Sequence, residues 1–184
     1  MKPFIYLAVL LGVCASAQAV EYTDVNRTAS QISFTYQQLG QSVYGIFGDF
    51  EGTLSFDTQK PEAGHALLKI QLASIDAGSP DANDELQRAS WFDTATYPVG
   101  VYESTAVTPL GGNRFKISGN LTIKGTTRQV EVDVVLKEQD GIGVFDGKFI
   151  LKRSDFKIGE GEWAGNSVVS DGIDIKFKMV APQR

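Results

Sequence analysis

From Glu21 onward the chain alternates between apolar and polar positions, with turn residues about every ten positions. Alternation with a period of two is typical of strands that bury one face and expose the other. One-sided burial and short connections favour antiparallel hairpins over a parallel sheet. The pattern predicts eight strands, over residues 32–36, 42–57, 66–72, 99–107, 115–124, 130–137, 142–151 and 173–179.

Glycine and turn positions refine this prediction. The long segment 42–57 contains Gly45, Gly48 and Gly52, as expected where a strand bends sharply or carries a bulge. Asp140-Gly141 is a strong hairpin signal between two alternating segments. We therefore expect a continuous series of hairpins in which the second strand is bent.

Eight one-sided antiparallel strands can close into a barrel, which removes the exposed strand edges that invite aggregation. We predict an all-β fold, namely an eight-stranded antiparallel barrel. A two-sheet sandwich stays open as the alternative, because the pattern alone does not distinguish a curled sheet from two stacked ones.

One segment departs from the alternation. Ser79 followed by Pro80 reads as an N-cap and a first helical residue, and acidic residues follow in the first turn. The pattern predicts a short helix that ends near Arg88, inside an insertion over about 79–95 that also carries Trp91-Phe92-Asp93. An excursion of this length between strands can cover one opening of a barrel.

The N-terminus has the three parts of a secretory signal peptide. Lys2 is the positive residue, residues 4–13 form an apolar run, and Ala17-Gln18-Ala19 is a small-x-small cleavage site. The apolar run is shorter than the about 20 residues that span a bilayer. We therefore expect residues 1–19 to be a cleavable signal and residues 20–184 to form one exported domain.

Cysteine use and charge exclude several function classes. The only cysteine, Cys14, lies inside the predicted signal, so a cleaved chain has no thiol for catalysis, disulfides or metal binding. Lipidation of Cys14 is a rival interpretation, although the preceding Leu11-Gly12-Val13 is only a partial lipobox. The formal net charge of −5 gives no electrostatic basis for binding nucleic acid and disfavours an anionic membrane surface.

No pattern of catalytic or metal-binding residues stands out. His65 is the only histidine, lies beside a turn, and has no G-x-S-x-G partner motif in the chain. Asp76, Asp81, Asp84 and Glu85 lack the spacing of a calcium loop, and helix capping explains them more simply. We expect neither a catalytic site nor a metal site.

Arg153-Ser154-Asp155 offers a charged pair at the end of a strand. Such a pair either fixes one end of the barrel or anchors the polar head of a ligand, and the structural role is the commoner one.

Taken together, these segments resemble the YceI-like family, the polyisoprenoid-binding exported proteins of bacteria. Many members carry an Arg-Asp-x-His-Leu stretch, whereas this chain has Asn83-Asp84-Glu85-Leu86 and is closer to a subgroup with tryptophan at both Trp91 and Trp163. The matching stretches are 43–52, 73–76, 90–93, 97–98, 119–125, 152–156 and 171–179.

The resemblance implies a lipocalin-like eight-stranded barrel whose apolar tunnel holds a long-chain polyisoprenoid, such as an isoprenoid quinone. It implies a periplasmic carrier that is not an enzyme and needs no cofactor other than its bound lipid. We expect the ligand to contact apolar residues on the strands and the insertion, although each could equally be an ordinary core residue. These are Phe34, Phe47, Phe50, Leu68, Ile70, Trp91, Phe92, Phe115, Ile117 and Phe149.

Two other function classes stay open at this stage. The first is an interaction module whose barrel surface contacts a membrane, a membrane cytochrome or another periplasmic protein. The second is a carboxylate-based hydrolase that uses Asp76, Asp93 or Glu162 near the barrel mouth. A packed interior would favour the first, and carboxyl groups buried together would favour the second.

Overall fold

The computed structural model describes residues 20–184. The predicted signal peptide, residues 1–19 with Cys14, lies outside the described residues. The strands are β1 (Glu21–Thr23), β2 (Gln31–Gln38), β3 (Gln41–Phe47), β4 (Phe50–Asp57), β5 (His65–Gln71), β6 (Ile75–Asp76), β7 (Val99–Gly111), β8 (Arg114–Ile123), β9 (Thr126–Gln139), β10 (Ile142–Lys152) and β11 (Gly172–Pro182).

One α-helix, α1 (Pro80–Leu86), lies between β6 and β7. Ser79 is its N-cap, with a side chain that accepts a hydrogen bond from the Ala82 N–H at 3.3 Å, so the predicted helix start is confirmed. The helix ends at Leu86, slightly before the expected end near Arg88. The short 3₁₀ segments are Arg27–Ala29, Pro61–Ala63, Leu72–Ser74, Arg153–Phe156 and Gly161–Trp163.

All strands belong to one curled antiparallel sheet in the order β1-β4-β5-β7-β8-β9-β10-β11-β2-β3-β6. One end is tied back, because Tyr22 of β1 bridges to Gln183 after β11, and the other end is β6, which pairs with β3. The predicted all-β antiparallel fold is confirmed, and all eight predicted segments are strands. The sheet has eleven strands rather than eight, because the bent segment divides into β3 and β4, and because β1 and β6 are too short to show alternation.

The bend between β3 and β4 falls at Gly48-Asp49. There the Gly48 N–H donates to the Ser74 carbonyl, and the Asp49 carbonyl accepts from the Gln71 N–H, both at 3.0 Å. The bend lets β3 pair with β2 while β4 pairs with β5. Gly45 also has a packing role, since any Cβ there would collide with the ring of Phe34 across the strand pair.

The interior of the barrel has two halves. The first, called here the closed half, is filled by edge-to-face aromatic contacts, with ring centroids 5.1 Å apart for Phe56 and Phe115 and 5.4 Å apart for Phe56 and Phe145. Its buried residues are Tyr22, Ile32, Phe50, Phe56, Val107, Phe115, Val132, Val134, Leu136, Phe145, Met179 and Ala181. This half is solid core.

The second half, called here the open half, lies beneath α1 and the segment after β10. Its buried residues are Phe34, Leu72, Ile75, Ala77, Trp91, Phe92, Leu121, Ile123, Leu151, Phe156, Ile158 and Val169. Within residues 20–184, no helix has both the length and the apolar character needed to cross a membrane.

Candidate functional site

The open half surrounds a cavity of about 430 Å³. This volume lies within the range of about 300–1,000 Å³ that is typical of small-molecule sites. Most of its wall is apolar, supplied by inward-facing residues of the strands and by the insertion. The apolar wall residues are Ile32, Phe34, Tyr36, Phe47, Ile70, Leu72, Ile75, Ala82, Leu86, Trp91, Phe92, Leu121, Ile123, Phe149, Leu151, Ile158, Trp163, Val169, Ile173 and Ile175.

Aromatic rings form much of this wall. Phe34 lies between Tyr36 and Phe47, at centroid distances of 6.1 and 5.4 Å, and Phe47 contacts Phe92 at 6.4 Å. The rings of Trp91 and Trp163, which also line the cavity, have centroids 5.6 Å apart. Rings that pack against one another hold a fixed shape, so the wall does not depend on a ligand for its order.

Backbone hydrogen bonds of the insertion place two of these rings. The Phe92 N–H donates to the Leu86 carbonyl at 3.0 Å, and the Trp91 N–H donates to the Arg88 carbonyl at 2.9 Å. These bonds turn the chain back after α1 and bury both rings, so that Trp91 is 5% exposed and Phe92 is 8% exposed. The insertion therefore forms part of the cavity wall, in agreement with its predicted position over one opening of the barrel.

Arg153 holds the mouth of the cavity together. Its side chain is 2% exposed and its guanidinium lies 5.6 Å from the Trp91 ring centroid. All its N–H groups donate to backbone carbonyls at 2.8–3.1 Å, which leaves none for the head group of a ligand. The accepting carbonyls are those of Ile158, Gly159, Trp163, Gly165, Val169 and Ser170.

The expected pairing of Arg153 with Asp155 is therefore wrong. Asp155 is exposed and accepts none of these bonds, and burial lowers the pKa of Arg153 while the charge of Asp171 opposes this effect. Burial also disfavours ionisation of Asp171, but hydrogen bonds from Ser154 and the charges of Arg153 and Lys152 lower the pKa of Asp171 overall. Asp171, eighteen positions away in the loop before β11, and not the sequence neighbour Asp155, supplies the negative charge that acts on Arg153.

Two buried polar atoms have no hydrogen-bond partner among the described residues. One is the indole Nε1 of Trp91 in the cavity wall, and the other is the hydroxyl of Tyr102 between the two halves. Burial raises the pKa of Tyr102 to about 12, because the phenolate would lose its solvation there.

Polar side chains reach the cavity at its mouth. They are Gln38 at the end of β2, Ser79 before α1, and Asp81 and Glu85 on α1. Glu85 forms an ion pair with Arg88 at 3.0 Å. The cavity is thus apolar over most of its wall and polar at its mouth.

The structure brings six of the ten predicted ligand-binding residues together in the cavity wall. The six are Phe34, Phe47, Ile70, Trp91, Phe92 and Phe149. The other four, Phe50, Leu68, Phe115 and Ile117, belong to the closed half or pack against it. Contact of the six with a ligand stays a prediction.

Sequence reasoning missed several wall residues whose inward orientation the alternation had indicated, among them Leu121, Ile123, Leu151, Ile173 and Ile175. The pattern gave no reason to choose them over other inward residues. Trp163 had a usable signal, since the chain has only two tryptophans and the resemblance to a family subgroup involved both.

The carboxylates considered for a hydrolase do not line the cavity. Asp76 accepts hydrogen bonds from the Gly78 N–H and the Asn83 amide, while Asp93 occupies a turn with φ of 50°. Glu162 is exposed. Among residues 20–184, no group of three or more His, Asp or Glu side chains has the geometry to hold a metal ion.

Comparisons with known proteins point in one direction. The profile of the YceI-like domain matches residues 24–181. Protein YceI of Salmonella arizonae is 35% identical over 160 residues, which cover 83% of each chain. The crystal structure of BcnA from Burkholderia cenocepacia superposes with a TM-score of 0.84 at 38% identity, over 86% of this chain and 99% of BcnA. A polyisoprenoid binding domain from Saccharophagus degradans shares the fold, with a TM-score of 0.67 at 19% identity over 90% of this chain and 99% of that domain.

Proposed function

The chain belongs to the YceI-like family, and we propose that it is an exported, periplasmic carrier of an isoprenoid lipid such as an isoprenoid quinone. The observation that carries the proposal is the apolar cavity in the open half of the barrel. The domain from Saccharophagus degradans, described as polyisoprenoid-binding, supports the ligand class through its shared fold. The periplasmic location rests on the predicted signal peptide.

The size of the cavity sets the scale of the expected affinity. At about 30 Å³ for a group the size of a water molecule, 430 Å³ holds about 14 carbon-sized groups. At about 0.8 kcal/mol each, burial of these groups contributes about 11 kcal/mol. If ordering the chain offsets between a third and a half of this, the dissociation constant is about 5–100 μM. Such binding is reversible, as a carrier requires.

The distribution of polarity sets the direction of binding. The deep wall is formed by Ile32, Ile70 and Phe149, which offer no hydrogen bond, whereas Gln38 and Ser79 lie at the mouth. Burial of an unpaired polar group costs free energy, so the hydrocarbon tail enters first and the head group stays near the mouth. The unpartnered Nε1 of Trp91 offers the wall a donor for an oxygen atom of the cargo.

Tryptophan fluorescence tests this proposal directly. Trp91 and Trp163 are the only tryptophans in the sequence and both line the cavity, so their emission reports on binding there. Titration with a short-tailed isoprenoid quinone should quench the emission saturably, in the micromolar range. Absence of saturable quenching would refute carriage of this lipid class.

A matched pair of variants separates cavity binding from surface adsorption. Ile173→Phe adds bulk to the cavity wall on β11, and Ile150→Phe makes the same change at a position on β10 that is 68% exposed. Ile173→Phe should lower the affinity measured by quenching at least tenfold, while Ile150→Phe should leave it unchanged. Equal effects of both changes would place the ligand outside the cavity.

A further inference from the structure

We propose that the cavity limits by its depth how much of an isoprenoid chain it encloses: three to four isoprene units enter, and the rest of a longer chain stays outside the mouth. The inference rests on the proposed function and adds a limit on tail length. It follows from the division of the barrel interior into a solid closed half and a hollow open half.

The floor of the cavity consists of the residues that line it and also pack against the closed half. These residues are Ile32, Phe47, Ile70 and Phe149. Beneath them the core is filled by the aromatic contacts of Phe56 with Phe115 and Phe145. Close-packed side chains of this kind leave no space for an incoming chain. The tail therefore stops at this floor.

The depth above the floor can be measured along β2, whose inward residues run from Ile32 at the floor to Gln38 at the mouth. Six residue steps at about 3.3 Å give about 20 Å. An extended isoprene unit of four carbon–carbon bonds, each about 1.5 Å long, spans about 5 Å. Depth thus permits about four units, and the volume, with room for about 14 carbon-sized groups, permits about three.

A chain with more units cannot gain further burial inside the barrel. Its additional units would pass Gln38, Ser79, Asp81 and Glu85 at the mouth, where the surface is polar. Because affinity follows the apolar area removed from water, it should rise with tail length only until the cavity is full.

The test is a series of isoprenoid quinones with one head group and tails of two to eight isoprene units, measured by quenching of Trp91 and Trp163. Affinity should rise at least tenfold for each unit up to the third and change less than threefold from the fourth unit to the eighth. A continuous rise to eight units would overturn the depth limit and leave the proposed function intact. No binding at any length would overturn both.

A floor variant makes the limit specific to named residues. Phe149→Ala removes a ring from the floor and should move the plateau to a tail longer by about one unit. Phe115→Ala makes the same change inside the closed half, away from the cavity wall, and should leave the plateau in place. If Phe149→Ala fails to fold, Ile70→Ala serves the same purpose. A folded floor variant with an unchanged plateau would overturn the inference.

Discussion

Replacement of Arg153 by methionine should lower the free energy of unfolding by about 4 kcal/mol and weaken ligand binding. Arg153 is buried and donates to six backbone carbonyls that belong to the chain between Ile158 and Ser170. That stretch contains Trp163 and Val169, two residues of the cavity wall. Loss of the guanidinium therefore affects stability and the cavity together.

The magnitude follows from the carbonyls that lose their donor. Those of Ile158, Gly159 and Val169 make buried hydrogen bonds to Arg153, at 3.0, 3.0 and 3.1 Å. A buried acceptor left unpaired costs about 1–3 kcal/mol, so three of them cost about 3–9 kcal/mol before relaxation. Hydration of the mouth recovers part of this cost, and removal of a buried charge offsets another part. About 4 kcal/mol is a large share of the 5–15 kcal/mol typical of a domain.

Urea denaturation followed by circular dichroism measures this loss, and quinone titration measures the effect on binding. Arg153→Lys is the matched control, because it keeps the charge but offers three donors instead of five. It should fall between the wild type and Arg153→Met. A loss below about 1 kcal/mol in Arg153→Met, with unchanged binding, would refute the view that this side chain holds the mouth in place.

Three further changes test other parts of the structure. Tyr102→Phe removes an unpartnered buried hydroxyl and should raise the free energy of unfolding, measured by chemical denaturation, by about 1 kcal/mol. An unchanged free energy of unfolding would contradict the view that this hydroxyl has no partner. The pKa of Tyr102 is raised to about 12, so the wild type should lose stability relative to Tyr102→Phe as pH rises from 10 to 12, with phenolate absorbance as the readout. The pKa of Asp171 is lowered from 3.8, so its carboxylate stabilises the folded state above pH 3.8 and loses this effect as the pH falls further. The difference in the free energy of unfolding between the wild type and Asp171→Asn should therefore shrink below pH 3.8. Gly45→Ala should lower the melting temperature and displace Phe34, since its Cβ would meet that ring. Gly172→Ala is the control, because Gly172 has no positive φ and a Cβ there would meet only Ile150, at an ordinary contact distance of 3.6 Å.

The alternation of apolar and polar residues was sufficient to predict the strands. Its period matches the pleat, so it identified every strand long enough to show two or three repeats. It did not reveal β1 or β6, which have three and two residues and are fixed by long-range pairing with β4 and β3. The glycines of segment 42–57 indicated the bend, but only the contacts of Gly48 and Asp49 with the segment near Ser74 divide it into two strands.

The cavity was harder to predict, for a physical reason. Alternation identifies the inward face of a strand, and inward residues look the same whether they fill a core or line a void. Phe115 and Phe149 are both inward phenylalanines, yet one packs against Phe56 and the other forms the cavity floor. The difference arises from how side chains of distant strands meet, which a single segment does not encode.

Arg153 shows the same limit at the mouth. A strand-end arginine beside an acid suggested a local pair, but its partners are carbonyls up to seventeen positions away.

The hollow open half also bears on the alternative functions, because a barrel that served only as an interaction surface would have no need of an apolar cavity.

Identification of the lipid that co-purifies with the protein tests the central claim most directly. The protein would be isolated without detergent from the cells that make it, weighed by native mass spectrometry, and its released ligand identified by chromatography and tandem mass spectrometry. We predict an added mass that corresponds to an isoprenoid lipid and that is lost in Ile173→Phe but kept in Ile150→Phe. Protein that carries no added mass, and that takes up none when isoprenoids are supplied, would contradict the account.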